Sequence, residues 1–328
     1  MNSDHDNLLS VKDLSVSINT PGGVAFILHK VSFEIKQGEV LGLIGESGCG
    51  KSTVIKTILG LMPGNAIVSQ GQIIFKGQDL LKLNEGQLSA SIRGQRIGFI
   101  PQDPAQAFNP NFNVGEQILE IWRWHGPDGS RDRQSGIDQL VYLLGKVQIA
   151  DPISMLNRYP HQFSGGQRQR LLIAAALLCK PDLVLADEPT TALDVTTQQQ
   201  ILHLLADLGK ELGISVLLVT HDFGVVSQIC DRINIMYAGQ TVEYGPKRPM
   251  LQNPEHPYTI ALMNCHPNKL NSLSGIPGVV ASTLEPPTGC RFLPRCSRGI
   301  PSCSERESKF VLRTDGRYLN CTHYDQVI

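Results

Sequence analysis

Eight residues constrain this chain more than any others. Gly45-Glu46-Ser47-Gly48-Cys49-Gly50-Lys51-Ser52 fits GxxxxGK followed by Ser or Thr, directly after the apolar run VLGLI and just ahead of the helix-like STVIKTILG. Strand, glycine-rich loop and helix in that order are the context the pattern requires. Its glycines let consecutive backbone N–H groups turn inward without a Cβ in the way, which makes an anion nest at a helix N-terminus. Lys51 offers a point charge to the outer phosphates of a nucleotide, the Ser52 hydroxyl offers a ligand to Mg²⁺, and Thr53 closes the loop.

A second apolar run, LVLADEP, ends in paired carboxylates. Asp187 stands where a strand end can hold Mg²⁺, and Glu188, one residue on, is expected on the other side of the strand, where it could polarise an attacking water. Alone, two acids at a strand end read as a solvated surface; beside a phosphate loop they read as chemistry.

Val40–Ile44, Ile97–Ile100, Leu183–Ala186 and Val216–Val219 read as short buried strands, with helical periodicity at Ser52–Gly60, Gln167–Leu178 and Thr196–Leu212. This alternation predicts an α/β fold with a mainly parallel sheet. Between about residues 103 and 180 the texture turns helical, as in GEQILEIWRWH and IDQLVYLLGKV, which predicts an inserted helical subdomain. After Tyr244 the chain becomes rich in Pro, Cys and Arg, so we divide it into 1–245 and an appended region, 246–328. A hydrophobic share of 41% with 18% charged residues supports a real core, and a net charge of −1 gives no global attraction to nucleic acid or acidic lipid. MNSDHDNLLS lacks the order of a secretory signal, and no apolar run reaches the roughly 18–20 residues that span a bilayer. The expectation is a soluble protein that would serve a membrane only through partners.

Phe163-Ser164-Gly165-Gly166-Gln167, followed by RQRLLIAAAL, resembles the LSGGQ signature of ATP-binding-cassette ATPases, with Phe in place of the leading Leu. Physically, SGGQ opens a helix and offers N–H groups, a hydroxyl and a dipole to a phosphate; alone it would be an ordinary N-cap. Gln102 matches the family's Q-loop, Ala192-Leu193-Asp194 its D-loop and His221 its switch histidine. Singly, Gln102 and His221 would be a loop amide and a strand-end histidine, but the six motifs stand in the family's order. Phe26, ahead of the loop, is the candidate for the aromatic that stacks on adenine in the family, or else a core residue of an edge strand.

The phrases IPQDPAQAFNPNFNVGEQI, YPHQFSGGQRQR, DEPTTALDVTTQQQIL, MYAGQTVEYG and NPEHPYTIALM narrow the resemblance to the oligopeptide/dipeptide/nickel importers, over nearly the whole chain. It implies an α/β P-loop ATPase core with an N-terminal antiparallel β portion, an inserted helical subdomain and a loop-rich C-terminal extension. It implies an ATPase at the cytoplasmic face of the membrane, energising import of peptides, or of nickel or metal chelates. Expected partners are a second ATPase of similar sequence, two integral-membrane permeases and an extracytoplasmic solute-binding protein. In the family each ATP is sandwiched between the phosphate loop of one subunit, with Lys51 and His221 at the γ-phosphate, and the Ser164–Gln167 signature of the other. Glu188 would orient water, with Mg²⁺ held through Ser52, Gln102 and Asp187, and Asp194 in the D-loop. A DNA-repair cassette would carry a long coiled coil between Ser52 and Ser164, and a translation-factor cassette would carry two cassettes in one chain; the sequence has neither.

Of eight cysteines, four crowd the C-terminal region as Cys290, Cys296, Cys303 and Cys321. Four thiolates can hold an iron–sulfur cluster or Zn²⁺. Zinc knuckles of CxxC type are absent, and the region resembles the segment of the peptide importers that binds a 4Fe–4S cluster. Zn²⁺ and unligated thiols remain the alternatives, and Arg291, Arg295 and Arg298 are expected to soften a cluster's negative charge. Cys49 is expected to alkylate unless nucleotide covers it, whereas Cys179, Cys230 and Cys265 read as small apolar residues.

Overall fold

The computed structural model describes residues 7–129, 131–191, 193–265 and 275–324. Along the chain, β1 (Asn7–Thr20), β2 (Gly23–Lys36) and β3 (Val40–Ile44) lead to α1 (Lys51–Ile58), β4 (Ala66–Phe75) and β5 (Gln78–Asp79). Next come α2 (Glu85–Ser91), β6 (Ile97–Ile100), α3 (Val114–His125), α4 (Arg133–Lys146), α5 (Pro152–Met155) and α6 (Gly165–Leu177). After these follow β7 (Leu183–Asp187), α7 (Val195–Leu212), β8 (Ser215–Thr220) and α8 (Phe223–Ile229). The chain closes with β9 (Arg232–Tyr237), β10 (Gln240–Pro246), α9 (Lys247–Gln252), α10 (Pro257–Asn264), α11 (Ser302–Glu305), β11 (Phe310–Leu312) and β12 (Tyr318–Asn320).

Contacts divide it into two compact units, one of residues 1–35, 41–81 and 220–328, the other of residues 36–40 and 82–219. In the first, β2-β1-β4-β5 form a sheet. β1 and β4 run antiparallel from Leu9↔Phe75 to Ile18↔Ala66, with a break in register between Lys12 and Val16. Leu41–Ile44 of β3 pair in parallel with β9, and β10 continues antiparallel. The C-terminal region then adds β12 onto β10 and β11 onto β12. The expectation from sequence was a loop-rich region here; strands of three residues are too short for a periodicity to register.

The second unit has a parallel β6-β7-β8 arrangement, Ile97↔Leu183 and Leu183↔Ser215 setting the register. All five residues of β7 are buried, as expected of a strand covered on both faces. Helices α2 to α6 make the helical part, whose core includes Leu140, Leu143 and Leu144 at 0% exposure. Burying each such leucine contributes about 1.5–3 kcal/mol. α7 turns Ile201, Leu202, Leu205 and Leu208 inward, is capped by the Asp194 carboxylate and ends on Gly213 in the left-handed region.

Where the C-terminal region meets the sheet of the first unit, Arg317 and Glu243 form an ion pair at 3.0 Å, their side chains 3% and 0% exposed. Asp315 and the Asn253 carbonyl also accept from Arg317, while Glu243 accepts from the Glu255 and His256 N–H groups. Arg317→Ala should cost about 3–5 kcal/mol in denaturant unfolding, because it strands a buried carboxylate. The double variant Glu243→Leu/Arg317→Met should recover most of that loss.

Candidate functional site

In the first unit the phosphate loop is tightly built. A Cβ on Gly45 would come within 2.2 Å of the Met236 carbonyl oxygen and 2.6 Å of the Cys49 sulfur. Gly48 and Gly50 have φ of 79° and 103°. The Glu46 N–H donates to the Tyr258 hydroxyl at 2.9 Å, the Cys49 N–H to the Glu46 carbonyl at 3.2 Å, and the Gly239 N–H to the Cys49 carbonyl at 3.0 Å. Lys51 Nζ donates to the carbonyls of Gly45 at 2.9 Å and Glu46 at 3.1 Å, so its cation lies along the loop's own main chain. α1 then begins at Lys51, its N-cap being Gly50. Cys49 corrects an expectation: it is 4% exposed and burial pushes its thiol pKa up, so alkylation will be slow even without nucleotide.

The second unit carries the carboxylates. Asp187 ends β7 and is buried. Glu188 lies beyond the strand with φ of 44°, a left-handed conformation that costs a non-glycine residue about 1–3 kcal/mol. Its direction is therefore set by this turn rather than by the strand alternation expected from sequence. The Glu188 N–H donates to the Val219 carbonyl at 3.0 Å, anchoring the turn to β8. Gln102 Nε2 donates to Glu188 Oε2 at 3.3 Å, and the Thr191 hydroxyl donates to the same oxygen at 3.1 Å. Two motifs 86 residues apart thus meet on one carboxylate. Thr191 was not among the residues expected from sequence; the hydroxyl three residues after an acid, able to fold back on it, was the available signal.

The Ser164 hydroxyl caps α6, accepting from the Gln167 N–H at 3.3 Å while Gln167 Oε1 accepts from the Ser164 N–H at 3.0 Å. This capping box leaves Ser164 and Gly165 exposed at a helix N-terminus, and Phe163 packs inward at 3% exposure, an apolar replacement for Leu. A Cβ on Gly166 would stand 3.0 Å from Thr197, at the start of α7. Asp194 accepts from the Thr197 N–H at 3.0 Å, which holds its carboxyl below the usual range. Ala192 of the same motif lies outside the described residues.

His221 is exposed at the turn after β8, in the first unit, and Asp222 beside it caps α8 through the Gly224 N–H at 2.7 Å. Phe26 is 43% exposed on β2, so it is not a core residue.

Cys290, Cys296, Cys303 and Cys321 line one small cavity with Phe292 and His323, and all four are free thiols. Burial raises the Cys290 and Cys296 thiols and pushes Cys321 up to about 12. Among the described residues no group of three or more His, Cys, Asp or Glu side chains is placed to hold a metal ion. Two of the arginines expected to soften a cluster's charge are engaged elsewhere: Arg291 donates to the Ala238 carbonyl at 2.5 Å and Arg295 to Glu46 at 2.7 Å. Cys179 and Cys230 are buried, with burial raising both to about 12, as small apolar residues should be.

A family model described as ABC transporter matches residues 28–191, and one described as the C-terminal region of oligopeptide/dipeptide transporters matches residues 242–303. The dipeptide transport ATP-binding protein DppD of Bacillus subtilis (strain 168) is 42% identical over 325 residues, 98% of this chain and 96% of that protein. This chain belongs to the ATP-binding subunits of ABC transporters, in the oligopeptide/dipeptide group. The oligopeptide transport ATP-binding protein OppD of Escherichia coli (strain K12) is 41% identical over 302 residues, 91% of this chain and 88% of that protein. Among solved structures, the dimeric ATP-binding cassette MJ0796 with ADP and Pi superposes with a TM-score of 0.63 and 28% identity, over 73% of this chain and 99% of that one. The cassette fold holds an α/β P-loop core, an antiparallel β part and a helical part, and the chain is an ATPase whose hydrolysis drives transport. Among the described residues no helix is long and apolar enough to cross a membrane.

The cassette's loop geometry separates two glycines that look equivalent in sequence. Gly45→Ala must displace the Met236 carbonyl and should abolish ATP binding in equilibrium titration. Gly48→Ala meets no atom within 4 Å and carries only the left-handed penalty of about 1–2 kcal/mol, so it should weaken binding while retaining it.

Proposed function

We propose that this cassette energises the uptake of peptides, and the observation carrying that reading is its oligopeptide/dipeptide C-terminal region joined to a complete set of nucleotide motifs. The relatives named for dipeptide and oligopeptide transport favour peptide over nickel or metal chelates. Its partners in this reading are two permease subunits, a solute-binding protein and a second, similar cassette, with the chain peripheral at the cytoplasmic face. Residues 1–245 form the cassette proper and 246–328 the appended extension.

In the proposed mechanism the loop Gly45–Thr53 wraps the ATP phosphates, Lys51 offsets their charge, and His221 positions the γ-phosphate. Ser52, Asp187 and Gln102 would hold Mg²⁺ through their oxygen atoms, the hard donors this ion prefers, and the ion would offset phosphate charge. Glu188, held by Gln102 and Thr191, orients and deprotonates the attacking water. The exposed Ser164–Gln167 helix start would complete the ATP site of the partner cassette, and Asp194 fixes the neighbouring helix. Phe26, exposed on β2, is the proposed adenine platform. Glu188→Gln should lower ATP hydrolysis by about 10²–10⁴-fold with ATP binding retained. Unchanged turnover would remove Glu188 from the role of base.

We further propose that the four C-terminal cysteines hold a 4Fe–4S cluster. Supporting this are four unbridged thiols around one cavity, a soft donor set suited to iron–sulfur chemistry; as placed they do not form a metal-holding group, so ligation would draw them together. The raised thiol pKa values of Cys290, Cys296 and Cys321 mean that ligation would release protons. Anaerobic purification should yield a brown protein with about four irons per chain. A colourless protein carrying one zinc would replace the cluster with a structural Zn²⁺ site.

A further inference from the structure

Cys290 and Cys296 bracket Arg291-Phe292-Leu293-Pro294-Arg295. From the end of that segment Arg295 reaches Glu46, the second residue of the phosphate loop. Nη1 stands 2.7 Å from Oε2 and Nη2 3.0 Å from Oε1, a bidentate fork. The Arg295 side chain is 3% exposed, and its remaining donors meet the carbonyls of Ile276 at 2.9 Å and Pro277 at 3.2 Å and the Tyr237 hydroxyl at 3.4 Å. Those contacts fix the guanidinium in place. The main chain of Glu46 is held from the same region, since its N–H donates to Tyr258, whose ring packs 5.4 Å from Phe292.

A carboxylate inside a loop built for phosphates is a liability. Unpaired, Glu46 would set a negative charge beside the anion the loop receives and would weaken binding through like-charge repulsion. A forked, buried cation removes that charge and keeps the side chain from swinging into the nest.

We propose that Arg295 is a positioning residue for nucleotide binding, acting through Glu46, so that the C-terminal extension is a working part of the phosphate site. The inference rests on the ATP-binding assignment and is independent of what the four cysteines hold.

A double-variant cycle on the full-length chain tests it, with MgATP affinity read by displacement of a fluorescent ATP analogue. Arg295→Ala should weaken MgATP binding by about tenfold or more, with Arg295→Lys intermediate because it keeps the charge and loses the fork. On a Glu46→Gln background, which has no carboxylate to neutralise, Arg295→Ala should change affinity by less than about threefold. A merely structural role would give the same loss on both backgrounds, and that result overturns the proposal. So does unchanged affinity in Arg295→Ala. If Arg295→Ala fails to fold, Arg295→Lys compared on the two backgrounds decides between the same two outcomes.

Discussion

The nucleotide site depends on a loop held in shape by the protein before any phosphate arrives. Backbone N–H groups turned toward one point repel one another, and such a nest persists only where its surroundings determine it. Here Gly45 is pressed against the Met236 carbonyl, Lys51 lies along the Gly45 and Glu46 carbonyls, and the Glu46 N–H is tied to Tyr258. Binding then requires little reordering of the main chain, and that pre-organisation preserves affinity. In the proposed mechanism Lys51 would exchange carbonyls for phosphate, trading neutral acceptors for a charged one and so favouring the nucleotide.

The turn at Glu188, the water-activating carboxylate of the proposed mechanism, shows a second such device. Glu188 sits in a left-handed turn that a glycine would adopt at no cost, and the Val219 carbonyl, Gln102 and Thr191 hold it there. Strain kept by surrounding contacts fixes where a carboxylate points. Gln102 also links this carboxylate to the start of the helical part of the chain. An element that shifts with the helical part would therefore shift the contact on Glu188.

Much of this was legible in the residues. The strand at Val40–Ile44 has the bounds its apolar run implied, because a strand buried on both faces leaves an unbroken hydrophobic mark, whereas Ile97–Ile100 has the implied bounds but leaves Phe99 exposed. The phosphate loop, the SGGQ helix start and the paired acids were legible because each chemistry demands fixed local spacing. What escaped was non-local. Nothing near Glu46 announces a partner 249 residues away, and nothing in GCRFLPRC separates an arginine facing cysteines from one facing a phosphate loop. Strands of three residues in the C-terminal region left no periodicity, and a positive φ at Glu188 has no signature in a glutamate.

Amide hydrogen exchange of residues 45–50 in the nucleotide-free, full-length chain addresses the preformed loop most directly. A preformed loop predicts that the Glu46 and Cys49 amides are protected before ATP is added, through Tyr258 and the Glu46 carbonyl, and that ATP extends protection to the rest of the loop. Exchange of both amides at unstructured rates until nucleotide binds would contradict it.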